Sequence, residues 1–170
     1  FGVSNAAAVI VGKALGDNQM QYARLCVKRM LGITIVTGAL GGLVILALSP
    51  LIARLGNLSQ GASQYIRFML AVNSYYVLGQ AINTTLIVGI FRAGGDARFG
   101  LVCDILDMWC FSVPLGFLCA FVLRLPVQWV YVIICLDEFV KMPFVFARYR
   151  SKKWLRNITR DMASIESSNK

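Results

Sequence analysis

The chain contains no histidine, and that absence removes more chemistry than any other single feature. Histidine-based triads, H-E-x-x-H zinc sites and haem ligation by imidazole are excluded among these residues. Cysteine is scarce as well. The five present (Cys26, Cys103, Cys110, Cys119, Cys135) lie in or beside apolar segments without a C-x-x-C pair, and they read as small packing residues. No G-x-S-x-G sequence and no Walker A loop occurs. Little enzymology survives these absences, and the expectation is a protein that is not an enzyme, with no metal site and no cofactor.

Charge is thin too, at 15% of residues, and what fills its place is apolar: 58% of the 170 residues are hydrophobic and the mean hydropathy is +0.67. A soluble domain of this length could not hide so much apolar surface. The net charge of +9 could point to nucleic acid, but seven of the 17 basic residues lie between Arg148 and Lys170 and most others sit at segment ends. That is how topology signals are arranged in a membrane protein, so the partner expected is the lipid bilayer and not nucleic acid. Phe1 falls inside an apolar helical pattern, with no initiator Met and no signal-peptide architecture. A piece of a longer chain is therefore expected.

Read in order, residues 1–15 form the end of a helix rich in small residues, closed by the turn chemistry of Gly16-Asp17-Asn18. Gly12 with Gly16, and Gly38 with Gly42, have the four-residue spacing that lets helices approach closely. An amphipathic lead-in over 19–29 precedes a span at 30–54, in which Pro50 should mark a kink or the exit. Residues 54–64 read as a polar loop, where Asn57-Leu58-Ser59 is better taken as an ordinary turn than as a glycosylation site. Further spans are predicted at 68–91, 100–123 and 127–147, the last two joined by a short return at Leu125-Pro126. The fold class expected is an all-α membrane protein, an antiparallel bundle of four full spans plus one truncated span over 1–150. A basic cytoplasmic tail over 151–170 completes it, with Trp154 at the headgroups and disorder after Ile165.

Two features inside this frame carry function. The turn Ala93-Gly94-Gly95-Asp96, flanked by Arg92 and Arg98, reads as a membrane-surface loop. Beyond it, Asp104 and Asp107 lie three apart inside a span, and Asp137, Glu138 and Lys141 lie inside the next. At 1.5 Å per residue, Asn83, Asp107, Glu138 and Lys141 all fall about 9 to 14 Å from the cytoplasmic helix ends. Ionisable groups so deep are expensive, and they read either as a coupling site for a proton or sodium ion or as a buried ion pair that fixes packing. Asn73, Gln80, Asn83 and Thr84 give the 68–91 span a polar face, which suits a cavity lining or hydrogen bonding between helices.

Loop charges set the orientation. Lys13, Arg24, Lys28, Arg29, Arg92, Arg98 and the Arg148–Arg160 cluster share one side, against Arg54, Arg67 and Arg124 on the other. The positive-inside asymmetry places the Gly94-Gly95 turn and the C-terminus in the cytoplasm of a multi-pass inner (plasma) membrane protein.

Asn5-Ala6-Ala7 through Val11-Gly12-Lys13-Ala14-Leu15-Gly16, then Phe91-Arg92-Ala93-Gly94-Gly95-Asp96, then Asp104 with Trp109 and Val113-Pro114-Leu115, resemble the multidrug and toxic compound extrusion (MATE) transporters. The likeness extends over most of 1–160, to the Ser151-Lys152-Lys153-Trp154 segment. It implies twelve helices in two six-helix lobes, of which this chain would supply helices eight to twelve of the C-terminal lobe. It also implies export of small organic cations or amphipathic drugs in exchange for protons or sodium, with the missing N-terminal lobe as partner. Some members carry a cation-binding acid in the helix before the Arg-Ala-Gly-Gly-Asp turn. None occurs between Gln64 and Phe91, which moves the weight to the acids of the last two helices. A lipid or oligosaccharide flippase of the same superfamily and a non-transporting membrane subunit are the alternatives.

Overall fold

A computed structural model describes residues 1–55 and 60–156, and among these the regular structure is entirely helical. In chain order the elements are α1 (Gly2–Gly16), α2 (Met20–Leu55), α3 (Gln60–Thr84), α4 (Ala97–Leu106), α5 (Val113–Phe117), α6 (Val127–Ile134) and α7 (Asp137–Arg150). Three π-helical stretches, Thr85–Phe91, Asp107–Ser112 and Leu118–Val122, extend α3, join α4 to α5 and extend α5. Asn57-Leu58-Ser59 and the tail after Ile165 lie outside the described residues.

Two of these helical runs, Met20–Ala53 and Ala97–Val122, are long and apolar enough to cross a membrane, and only 17% and 6% of their most apolar windows are buried. That separates them from the core helices of a soluble protein. Leu43, Leu101, Trp109, Phe117 and Phe121 are each more than half exposed, which in water would be an adhesive surface and in lipid is the ordinary outer face.

The prolines shape these runs differently. Pro50 lies inside α2, which continues to Leu55 with no exit at the proline. Pro114 has no N–H to donate, and the stretch before it widens to π-helical bonding, with Val113 N–H donating to Met108 O.

The described chain divides into two compact units, each of which draws segments from several helices. The first comprises 1–34, 82–103 and the segment from Pro143 onward. Its core is Val11, Leu15, Val27, Ile90, Phe91 and Trp154 with their neighbours. Ser4, Ala7, Val11 and Ala14 make one buried face of α1 at three- and four-residue spacing. The close approach there uses Gly89, where a Cβ would meet Ser4 O at 2.9 Å, and not Gly12, where it would make ordinary contact with Ala93 Cβ at 3.9 Å, or Gly16, where it would meet nothing. Gly12 and Gly16 instead lie at the end of α1, where Asn18 takes a φ of 60° to turn the chain.

The second unit comprises 35–81 and 104–142. There the expected close approach does occur: a Cβ on Gly42 would lie 2.5 Å from Ser74 O, and one on Gly38 would press Leu78 and Ala81 at 3.1 and 3.3 Å.

The stretch 127–147 is not one continuous helix: α6 ends at Ile134, Cys135 and Leu136 turn, and α7 begins at Asp137. Asp137 Oδ1 accepts the N–H of Glu138 at 2.6 Å, a donor that the break releases from helical bonding. Trp154 is not a headgroup residue. It is 2% exposed, stacks on Tyr149 at 5.9 Å and donates its indole N–H to Tyr149 O at 3.1 Å. The indole is large and apolar, and with its N–H satisfied it belongs in the core.

Candidate functional site

The second unit holds a cluster built by α4, the π-helical stretch after it, and α7. Asp104 projects from α4, and Asp107 stands three residues on at the start of the π-helical stretch. Glu138 lies in the first turn of α7 and Lys141 one turn further along it. The helix break at Cys135-Leu136 matters chemically. It creates a helix N-terminus at Asp137-Glu138, where the partial positive charge of the free N–H groups favours carboxylates.

Lys141 Nζ is the centre of the cluster. It lies 3.1 Å from Glu138 Oε1, 3.4 Å from Asp104 Oδ1 and 3.7 Å from Asp107 Oδ2. The side chains of Lys141, Glu138 and Asp107 are 12%, 7% and 5% exposed, while that of Asp104 is 49% exposed. Gly79 of α3 faces this group, and a Cβ there would stand at ordinary contact distance, 3.5 Å, from Glu138 Cβ. Tyr75 of the same helix packs against Phe139, with ring centroids 5.8 Å apart.

Of the five ionisable residues singled out from the sequence, three therefore meet around the ammonium of a fourth, Lys141. Asp137 has a different local task, holding the backbone of α7 through Glu138 N–H. The polar residues of α3 differ in burial. Gln80 is exposed, Asn73 and Thr84 are half-buried, and Asn83 is buried. Thr85, the next residue, is buried and shares hydroxyl hydrogen bonds with Ser4 at 3.3 Å and Thr34 at 3.0 Å. Those three hydroxyls satisfy one another within the first unit, which is a packing role.

The glycine turn in the first unit is held by residues the sequence did not single out for it. Arg148 grips Asp96 with both arms, Nε to Oδ2 at 2.6 Å and NH2 to Oδ1 at 2.7 Å, and its guanidinium lies 4.8 Å over the Phe99 ring. The carboxylate raises the pKa of that guanidinium further, through the hydrogen bond first. Gly94 packs directly under the Trp154 carbonyl, leaving no room for a Cβ, and Gly95 takes a φ of 76°. Arg92 and Arg98, the flanking arginines, are exposed. The signal that could have found the clamp is weak: a lone turn carboxylate and a C-terminal basic cluster 52 residues away.

Comparison with known proteins agrees with this architecture. The MatE family model matches residues 1–118. The chain is 25% identical over 158 residues to the uncharacterized transporter YisQ of Bacillus subtilis (strain 168), an alignment covering 91% of this chain. The chain spans about a third of that relative's length, 34%. No solved structure matches it.

Proposed function

Because this chain belongs to the MatE family of membrane transporters, we propose that it forms most of the C-terminal lobe of an ion-coupled antiporter. In this reading the lobe crosses the cell membrane with four full spans and one truncated span, and its C-terminus is cytoplasmic. The whole protein, completed by an N-terminal lobe, exports small organic cations or amphipathic drugs in exchange for protons or sodium.

The observation that carries the reading is the Lys141 cluster: three carboxylates meet one ammonium in helices that otherwise offer lipid an apolar face. Ionisable groups are kept at such depth when they bind or relay ions, because each costs several kcal/mol to bury unpaired. A surplus of acid also suits an organic cation better than the phosphate of a flippase substrate, which would need basic groups to hold it.

Alternating access further requires helices with two shapes, and Pro114 and Pro143 supply places to bend near the cluster's two helical arms. The test uses the full-length protein in sealed vesicles loaded with ethidium. An imposed pH or sodium gradient should drive dye out. Equal dye movement with and without either gradient would refute ion coupling.

A further inference from the structure

The cluster's charges do not balance. Three carboxylates face one ammonium, so with every acid ionised the group would carry a net charge of −2. The three acids are not equivalent. Glu138 is the nearest partner of Lys141, and Asp104 is half exposed. Asp107 is the most enclosed, with a side chain 5% exposed and only a 3.7 Å approach between its Oδ2 and Lys141 Nζ. Its other oxygen, Oδ1, is buried with no hydrogen-bond partner among the described residues.

Lys141 points into the carboxyl group from α7, Asp137 and Glu138 bring negative charge from the same helix, and Asp104 adds more from α4. One cation is thus shared against three further anions around Asp107. An ionised Asp107 would hold a bare oxygen in a low-dielectric site, and the one cation nearby, Lys141, reaches only its other oxygen.

We propose that Asp107 is the residue that takes up the exchangeable ion, and that this ion is a proton and not sodium. The inference rests on the antiporter reading and deepens it. A metal ion needs several oxygens converging on one point, and the point where three carboxylates converge is held by Lys141 Nζ, a tethered cation. Among the described residues no group of three histidine, cysteine or acidic side chains is placed to hold a metal. A proton needs only one oxygen, and Oδ1 is that oxygen. The step is a simple addition: the proton bonds to Oδ1, the Asp107 charge is neutralised, and the Glu138–Lys141 pair remains. Loss of the proton restores the anion and draws Lys141 toward Oδ2. The stretch that Asp107 opens is π-helical, a form of helix often found at functional sites, and its far end carries a second buried, unpartnered oxygen, Ser112 Oγ.

Infrared difference spectroscopy on the full-length protein in lipid tests this without any transported substrate. Alkaline titration should bleach the carbonyl band of a buried protonated carboxyl, and Asp107→Asn should abolish that band while Asp104→Asn retains it. Sodium at constant pH should leave the band in place. If Asp107→Asn does not assemble, Asp107→Glu keeps a titratable acid, and the band should move in frequency instead of vanishing. Absence of the band, its survival in Asp107→Asn, or its displacement by sodium would each overturn the proposal. A protein that loads this proton yet exports no cation in vesicles would sink the antiporter reading alone. Export driven by sodium, with sodium displacing the band, would sink only the proton assignment.

Discussion

Asp96 and Arg148 form the best-shaped ion pair among the described residues, with two parallel hydrogen bonds near 2.7 Å and an aromatic ring beneath the guanidinium. An ammonium cannot reproduce that fork, so Arg148→Lys should behave almost as badly as Arg148→Ala. A double-mutant cycle with Asp96→Asn, read from thermal unfolding in detergent, should give a coupling energy of about 1 kcal/mol, as for other partly exposed pairs. Additive losses would show that the pair contributes nothing. The neighbouring glycine makes a sharper case. Gly94→Ala puts a methyl into the Trp154 carbonyl, so it should lower the unfolding temperature, whereas Gly12→Ala, whose nearest neighbour would be Ala93 Cβ at 3.9 Å, should not. The glycines of this turn were legible in the sequence as a reversal of the chain, because a Gly-Gly pair between apolar runs has few other uses. Their clamp was not, since nothing periodic links residues 52 positions apart.

At the scale of elements, helices restart or widen where a side chain or a missing donor takes a backbone partner away. Asp137 takes the N–H of Glu138 where α7 begins, and Pro114 coincides with the change from π-helical to α-helical bonding. Asp137→Ala should therefore cost about 1 kcal/mol, as loss of a helix cap does, and should let helical bonding run on from α6. An unchanged unfolding temperature would contradict the capping role. Gly42 has a different task, allowing α2 to meet Ser74 O of α3, and Gly42→Ala should cost about 1 to 3 kcal/mol by overpacking. Long apolar runs made α2 and the α4–α5 stretch readable from composition alone. The break at Cys135-Leu136 was hidden because the run around it contains neither Gly nor Pro, the residues that normally punctuate a helix. Its one sign was an acidic pair following an apolar stretch, the pattern of a first helical turn. Reading 127–147 as a single helix passed over that sign.

For the whole molecule, the membrane orientation proposed from loop charge has a direct check. Single cysteines at Gly95 and Lys153 should react with an impermeant thiol reagent from the cytoplasmic side, and one at Leu123 from the opposite side, after the native cysteines are replaced. Labelling of Gly95 and Leu123 from the same face would overturn the alternation of spans. The meeting of Asp107, Glu138 and Lys141 was legible because helical rise puts them at one depth, and helical spacing puts Asp104 on one face with Asp107. Asn83, at the same depth by that count, falls in the other compact unit. Which acid carries the ion was not legible, for it depends on burial and on the distances to Lys141. On this reading an exported cation and a proton compete through this cluster. That competition is tested most directly by adding ethidium to the full-length protein in weakly buffered detergent solution and recording the protons released. The wild-type protein should release protons as the dye binds, and Asp107→Asn should bind the dye with none released. The same proton release from Asp107→Asn as from the wild type would contradict it.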